Sequence, residues 1–471
     1  MALEKRWLAL YILCLGTLMI VLDTTIVNVA LPSIRVDLGF TEVSLAWVIN
    51  AYMLTFGGFL LLGGRLGDLY GHRHLFLFGI TLFTLASLAC GLSNSQTTLI
   101  IARAIQGIGG AIADAVSLSL MMNLFTENTE RAKAMGIYGF VAAGGGSIGV
   151  LLGGFLTSIN WHWIFLVNIP VGLAVIALSL AFLPSTRSDV EHRHLDVAGA
   201  ITVTSSLIIA VYAVINGNDV GWLTTQTLGL LAASTGLLAL FVWIESRVEG
   251  PLMPLRLFTL RNIVVSNAVS VLWAAGMFAW FFLSALYMQL ILKYTPMQVG
   301  LAFLPANVIM AIFSLGLSAK IVMRWGIQKP IALGLGFAGL GLLLLARVPI
   351  ESNFLIDILP SMLLLGLGAG VAFNPILLAA MSDVSESESG LASGVVNTSF
   401  MMGGALGLAI LASIASSETT RELAHGTESL AALLGGYHLA FLVGAFFAFA
   451  AALLAATGLR VTQDFSGANA N

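Results

Sequence analysis

The chain has 471 residues, of which 58% are hydrophobic and only 9% charged, against roughly a quarter charged in an average soluble domain. That balance excludes a soluble globular protein, and a net charge of -3 with no basic cluster excludes a nucleic-acid surface. Two cysteines, Cys14 and Cys90, lie in apolar stretches without partner spacing. They read as small core residues and exclude a disulfide framework.

Windows of about 20 apolar residues predict an all-α integral membrane protein. Spans are expected at 7–32, 44–64, 74–93, 97–124, 134–158 and 161–183, then at 195–215, 225–244, 263–291, 298–321, 330–348, 354–380, 389–414 and 435–459. Fourteen spans put both termini on one side. Of the 20 Lys and Arg, only Arg35, Lys293, Arg347 and Arg421 then fall outside, and Arg103 lies within a span, so the termini are expected to be cytoplasmic. The first span lacks a small-x-small cleavage site and is too long for a signal peptide, so it is expected to remain.

Asp23 lies inside the first span, WLALYILCLGTLMIVLDTTIVNVALP. A carboxylate at that depth must be paired, hydrated or protonated. Its partner is either a neighbouring hydroxyl, Thr24 or Thr25, or a charge on another helix. The stretch Gly63–Phe76, GGRLGDLYGHRHLF, is glycine-rich and reads as a sharp turn between packed helices.

The fourth span carries Arg103 and Asp114 in IARAIQGIGGAIADAVSLSL. At about 100° per residue, Arg103, Gly107, Gly110 and Asp114 share one helix face. Small residues between two charges there are expected to leave volume for a water-filled cavity. Asp23 lies about 13 Å below the outer end at Pro32 and Arg103 about 8 Å below its own, so the two can meet, with Asp114 about 16 Å further in. The proton-coupling candidates are therefore Asp23, Arg103 and Asp114, and which carboxylate carries the proton stays open between Asp23 and Asp114.

In the fifth span, Gly145, Gly149, Gly153 and Gly154 form a small-residue ridge that lets another helix approach. The stretch Asn160–Gly172, NWHWIFLVNIPVG, has interfacial tryptophans, and its His162 reads as solvated or as a pH sensor. Pro184–His194 is a polar linker, and Glu249–Asn262 mixes apolar and basic residues in a way that suits a membrane surface. The ninth span is aromatic at Phe278, Trp280, Phe281, Phe282 and Tyr287, suiting core packing or an apolar cavity wall. Candidate cavity residues are Asn50, Tyr52, Gln106, Phe281, Asn307 and Asn374; Asn267, Gln289 and Asn397 are further polar residues within spans.

Several of these stretches resemble the major facilitator superfamily. Gly64, Leu66, Asp68, Gly71 and Arg73 match its G-x-L-x-D-R-x-G-R-K loop, Arg103, Gln106 and Gly107 its R-x-x-Q-G pattern, and Gly145, Gly149, Gly153 and Gly154 its antiporter motif, with Val150 in place of proline. NWHWIFLVNIPVG and LDTTIVNVALP resemble segments of the fourteen-helix drug:proton antiporter branch, with His162 where arginine is usual. The loop SAKIVMRWGIQK echoes the first, with Lys320 and Gly326 at the spacing of Arg65 and Gly71, as a parallel repeat of two six-helix halves requires.

The resemblance implies a six-helix bundle over residues 1–183, linkers and two additional helices over 184–262, and a second six-helix bundle over 263–471. It implies an efflux transporter of amphiphilic, cationic compounds in the bacterial inner membrane, driven by the proton gradient without a cofactor. Gly64, Asp68, Gly71 and Arg73 would form a gating latch. Its partners would be the small-molecule substrate, protons and lipid, and it is expected to act as a monomer. A symporter or a dedicated metabolite exporter is the alternative. No cluster of His, Cys or carboxylates at one level suggests an enzyme or a metal site.

Overall fold

The structure, a computed structural model, describes residues 3–125, 127–183, 196–313, 317–384 and 389–460. In a span without water every backbone polar group must be satisfied within the segment, and the described residues are accordingly helical with no strand. The long helices are α1 (Leu3–Leu38), α2 (Trp47–Tyr70), α3 (His72–Gly91), α4 (Gln96–Leu124), α5 (Asn128–Ile159), α6 (Asn168–Phe182), α7 (Val197–Val220) and α8 (Thr225–Glu245). They continue with α9 (Arg261–Leu286), α10 (Pro296–Ile312), α11 (Gln328–Leu345), α12 (Leu359–Met381), α13 (Ser389–Ala424) and α14 (Ser429–Gly458). Among the described residues, twelve helices are long and apolar enough to cross a membrane, and Gly145–Ile159 and Pro296–Ile312 are shorter apolar stretches. The expected linker Pro184–His194 lies outside the described residues.

Local chemistry starts these helices where the chain needs to turn. The Ser95 side chain accepts from the Thr98 amide ahead of α4. Thr295 and Gln298 form a reciprocal capping box ahead of α10, with Pro296 at its first position.

Helices α1–α6 pack chiefly on one another, as do α9–α14. The two groups meet through α5 on α10 and α2 on α13, while α7 and α8 pair and α7 leans on α2 and α13. Small residues set these seams. A Cβ on Gly153 would lie 2.8 Å from the Ile26 carbonyl oxygen of α1, and one on Gly154 would lie 2.9 Å from the Pro296 carbonyl oxygen of α10. Gly149 likewise faces Thr25 and the Leu22 carbonyl, and Gly145 faces Leu18 and Val21. The α5 ridge is thus wedged between α1 and α10 and joins the two groups.

Several expectations need correction. The first helix does not stop at Pro32 but carries it inside and runs to Leu38, which sets Asp23 about 22 Å from that end. The sharp turn expected within Gly63–Phe76 is narrower than that stretch: α2 continues to Tyr70 and α3 begins at His72, so the reversal falls on Gly71, at φ +89°. Only glycine adopts that conformation cheaply. Gly326 repeats it at φ +75°, in the equivalent place of the second group. Within Glu249–Asn262, Leu252 and Leu257 anchor the segment to the bundle, buried against Leu62 and Ala200 and against Ile263 and Ala392 respectively.

Candidate functional site

Asp23 of α1 and Arg103 of α4 meet in a nearly dry cluster, each 1% exposed. Arg103 Nη1 donates to Asp23 Oδ2 at 2.5 Å and to Gln106 Oε1 at 2.7 Å, and its Nε donates to the Val48 carbonyl at 2.9 Å. Asp23 Oδ1 accepts from Gln106 Nε2 at 2.7 Å and from Asn168 Nδ2 of α6 at 3.0 Å. Both amides also donate to Ser87 Oγ of α3, at 2.8 and 3.4 Å. The guanidinium lies 4.5 Å from the Tyr52 ring centre and 5.6 Å from that of Phe165. A buried ion pair offsets its desolvation only when the remaining polar atoms are satisfied, and here three side-chain donors from α4 and α6 converge on one carboxylate.

Thr24 and Thr25 do not serve Asp23; their hydroxyls donate to the Val21 and Leu22 carbonyls of their own helix. Asn168 and Ser87 escaped the sequence reading. Asn168 was legible only as an amide in an apolar span, and nothing in the local pattern marks Ser87 as its neighbour.

Asp114 lies further along α4 and is only partly buried. Its contact is Tyr138 of α5, whose hydroxyl donates at 3.5 Å and accepts from Thr17 Oγ1 of α1 at 3.1 Å. Among the described residues the two carboxylates therefore differ: Asp23 is held by three donors, and Asp114 by one long bond.

The open volume expected between the charges on α4 is absent. A Cβ on Gly107 would lie 2.4 Å from the Tyr52 carbonyl oxygen, and one on Gly110 would lie 3.0 Å from the Tyr52 hydroxyl. These glycines let α2 close onto α4, as small residues do wherever packing rather than hydrophobicity holds helices together.

The other candidates are dispersed. Asn50 is fully buried with both amide atoms unpartnered, as is the Tyr52 hydroxyl. Phe281 is packed against Trp280 and Phe303, with ring centres 4.3 and 5.3 Å apart, and does not line an open wall. Asn307 donates to the Phe303 carbonyl of its own helix at 3.3 Å, and Asn374 is half-buried on α12. Ser270, Trp273, Phe373, Asn397 and Phe400 line a narrow cleft between α9, α12 and α13. Gly64 sits in α2 with open space about it, and Arg73 donates to the Leu180 carbonyl at 2.7 Å. The side chain of Asp68 lies outside the described residues. His162 stacks on Trp161 with ring centres 3.7 Å apart. Cys14 and Cys90 are buried, and among the described residues no His, Cys, Asp or Glu group could hold a metal.

Comparisons agree with this architecture. The chain is 38% identical over 449 residues to the puromycin resistance protein pur8 of Streptomyces alboniger, covering 93% of this chain and 89% of that one. It is 38% identical over 418 residues to the cephamycin export protein CmcT of Amycolatopsis lactamdurans, covering 88% and 85%. The multidrug resistance protein Stp of Mycobacterium tuberculosis is 37% identical over 404 residues, covering 85% and 74%. The crystal structure of an auto inhibited POT family peptide transporter has the same fold, with a TM-score of 0.68 at 16% identity over 98% of each chain. Residues 13–408 match the family described as the Major Facilitator Superfamily, and the chain belongs to that superfamily.

Proposed function

We propose that the protein is a proton-coupled efflux transporter of amphiphilic, cationic compounds across the bacterial inner membrane. The relatives named for drug resistance and antibiotic export support efflux. Among the described residues, fourteen long helices, with Lys and Arg concentrated at the Gly71 end, support fourteen spans with both termini cytoplasmic. On that reading residues 1–183 and 263–471 are the two rocking bundles, 184–262 supplies the extra pair of helices, and the proton gradient drives transport without a cofactor. The protein works as a monomer on its substrate, protons and lipid.

The observation that carries the coupling is the contrast between the two carboxylates of the first bundle. Asp23 is bound by Arg103, Gln106 and Asn168, so both of its oxygens are already taken by donors. Among the described residues, Asp114 has one contact, from Tyr138 at 3.5 Å, and it is partly accessible, so a proton can reach it and leave it. We assign the exchanged proton to Asp114, and to the Asp23–Arg103 pair the task of holding α1, α4 and α6 in register. Proton and cationic substrate then compete for one negative charge, which is the simplest basis of antiport.

A dedicated exporter of one metabolite is the second reading, favoured by the relative named for cephamycin export. Purified protein in proteoliposomes, with an imposed pH gradient, tests both. Adding a cationic drug is expected to drive protons the opposite way, and Asp114→Asn to abolish that flux. Full flux in Asp114→Asn sinks the assignment, proton and drug moving together sinks antiport, and flux with a single compound among many favours the dedicated exporter.

A further inference from the structure

A second pair of buried acids lies outside the cluster described above. Asp196 caps α7 and Glu245 ends α8, and they are 3% and 4% exposed. Each carboxyl has one oxygen served by backbone: Asp196 Oδ1 accepts from the Gly199 amide at 2.6 Å, and Glu245 Oε2 accepts from the Met253 amide at 3.1 Å. The other oxygens, Asp196 Oδ2 and Glu245 Oε1, are buried without a partner. The two side chains lie within hydrogen-bonding reach of each other.

We propose that Asp196 and Glu245 hold one proton between them and form a second proton-binding site, at the ends of the two extra helices. Two ionised carboxylates in contact and away from water repel strongly, whereas one carboxyl O–H donated to the other's free oxygen satisfies both orphaned atoms. The pair then carries one negative charge, and on release the proton passes to water at the Gly71 end, leaving two like charges face to face.

No described cation offsets that repulsion. On α2, Arg65 donates instead to the Pro251 carbonyl at 3.2 Å, and Asp68 follows it one turn on. Arg247 lies 5.9 Å from the Trp243 ring centre. Glu249 and Arg256 have partners of their own, and α13 is free of charge from Leu391 to Ser417. The groups acting on Glu245 are the Leu252 and Met253 amides and Asp196.

The pair therefore responds to pH with a definite sign. Protonated, it holds the Leu252–Met253 segment against the end of α8, and Arg65 fastens the same segment to α2 just before the Gly71 reversal. Deprotonated, the two carboxylates repel and the ends of α7 and α8 separate, while the Met253 amide stays on Glu245. Assigning this face to the cytoplasm, and hence the response to internal pH, rests on the proposed function; the shared proton does not.

Infrared difference spectroscopy of the full chain in lipid, stepped from neutral to alkaline pH, reads the pair directly. The wild type is expected to lose a protonated-carboxyl band that Glu245→Gln and Asp196→Asn both lack and that Asp114→Asn retains. Asparagine still caps a helix, so Asp196→Asn keeps α7 intact if Glu245→Gln fails to fold. A band that survives in both variants, or none separate from that of Asp114, overturns the proposal. In proteoliposomes, wild-type transport is expected to fall on the order of threefold as the inner-face pH is raised past the pair's titration. Glu245→Gln, fixed in the uncharged form, is expected to flatten that response, and an unchanged profile rejects the pair as a switch. A wild type with no drug-driven flux would instead overturn the transport reading and leave the infrared result standing.

Discussion

At the scale of single residues, Asp23 illustrates how a charge is kept inside a membrane bundle. Its two oxygens take three side-chain donors, and the guanidinium that pairs with it is itself satisfied by Gln106 and the Val48 carbonyl. Removing one partner strands the other. Arg103→Leu is expected to lower stability by about 3–5 kcal/mol, read as a drop in the thermal unfolding midpoint in detergent. Asp23→Leu combined with Arg103→Leu should recover part of that loss, because no uncompensated charge then remains. A double variant no more stable than the single one would refute the pairing as the source of the effect. The sequence exposed both charges through their rarity in apolar spans, but Asn168 and Ser87 are ordinary polar residues whose part depends on which helices are neighbours.

At the scale of helices, glycine rows decide how closely the bundle closes. The ridge on α5 was legible from its spacing, yet spacing does not say which neighbour fills each gap. Gly153 abuts the α1 backbone, where a Cβ would lie 2.8 Å from the Ile26 carbonyl oxygen, whereas nothing approaches a Cβ on Gly146 closer than 3.8 Å. Gly153→Ala is therefore expected to cost about 1–3 kcal/mol, and Gly146→Ala to be neutral or to gain up to about 1 kcal/mol from helix propensity. Thermal unfolding of the two variants side by side checks this, and equal losses would show that α5 is not seated on α1 as described. The α4 glycines carry the same lesson in reverse. Small residues beside charges suggested a cavity, and α2 occupies that space.

At the scale of the whole molecule, the bundle is closed at the Trp161 end. Gly154 of α5 is pressed on Pro296 of α10, Gln289 of α9 donates to the Val29 carbonyl of α1 at 2.9 Å, and Tyr437 of α14 donates to Glu42 at 3.4 Å. Glu42 is also bridged to Arg35 at 3.0 Å. Alternating access requires these contacts to part and re-form. Gly154→Trp is expected to wedge α5 from α10, hold that end open and abolish transport. A cysteine placed at Gln289 reports it by maleimide labelling, against the low background of buried Cys14 and Cys90. Unchanged labelling would show that the α5–α10 seam does not control that end.

Composition and the length of the apolar runs determined the class of the protein, because helices in lipid satisfy their own backbone and leave a signal that needs no partner. The reversals at Gly71 and Gly326, the buried charges Asp23 and Arg103 and the α5 glycine ridge were visible for the same reason, since each is written in a few adjacent residues. The tertiary structure alone decided what each of them meets. Asn168 and Ser87 reach Asp23 from other helices, Tyr52 fills the α4 groove, and Asp196 comes to lie beside Glu245. Such contacts join residues far apart in the chain, and their energies depend on distances and desolvation that exist only once the helices have packed.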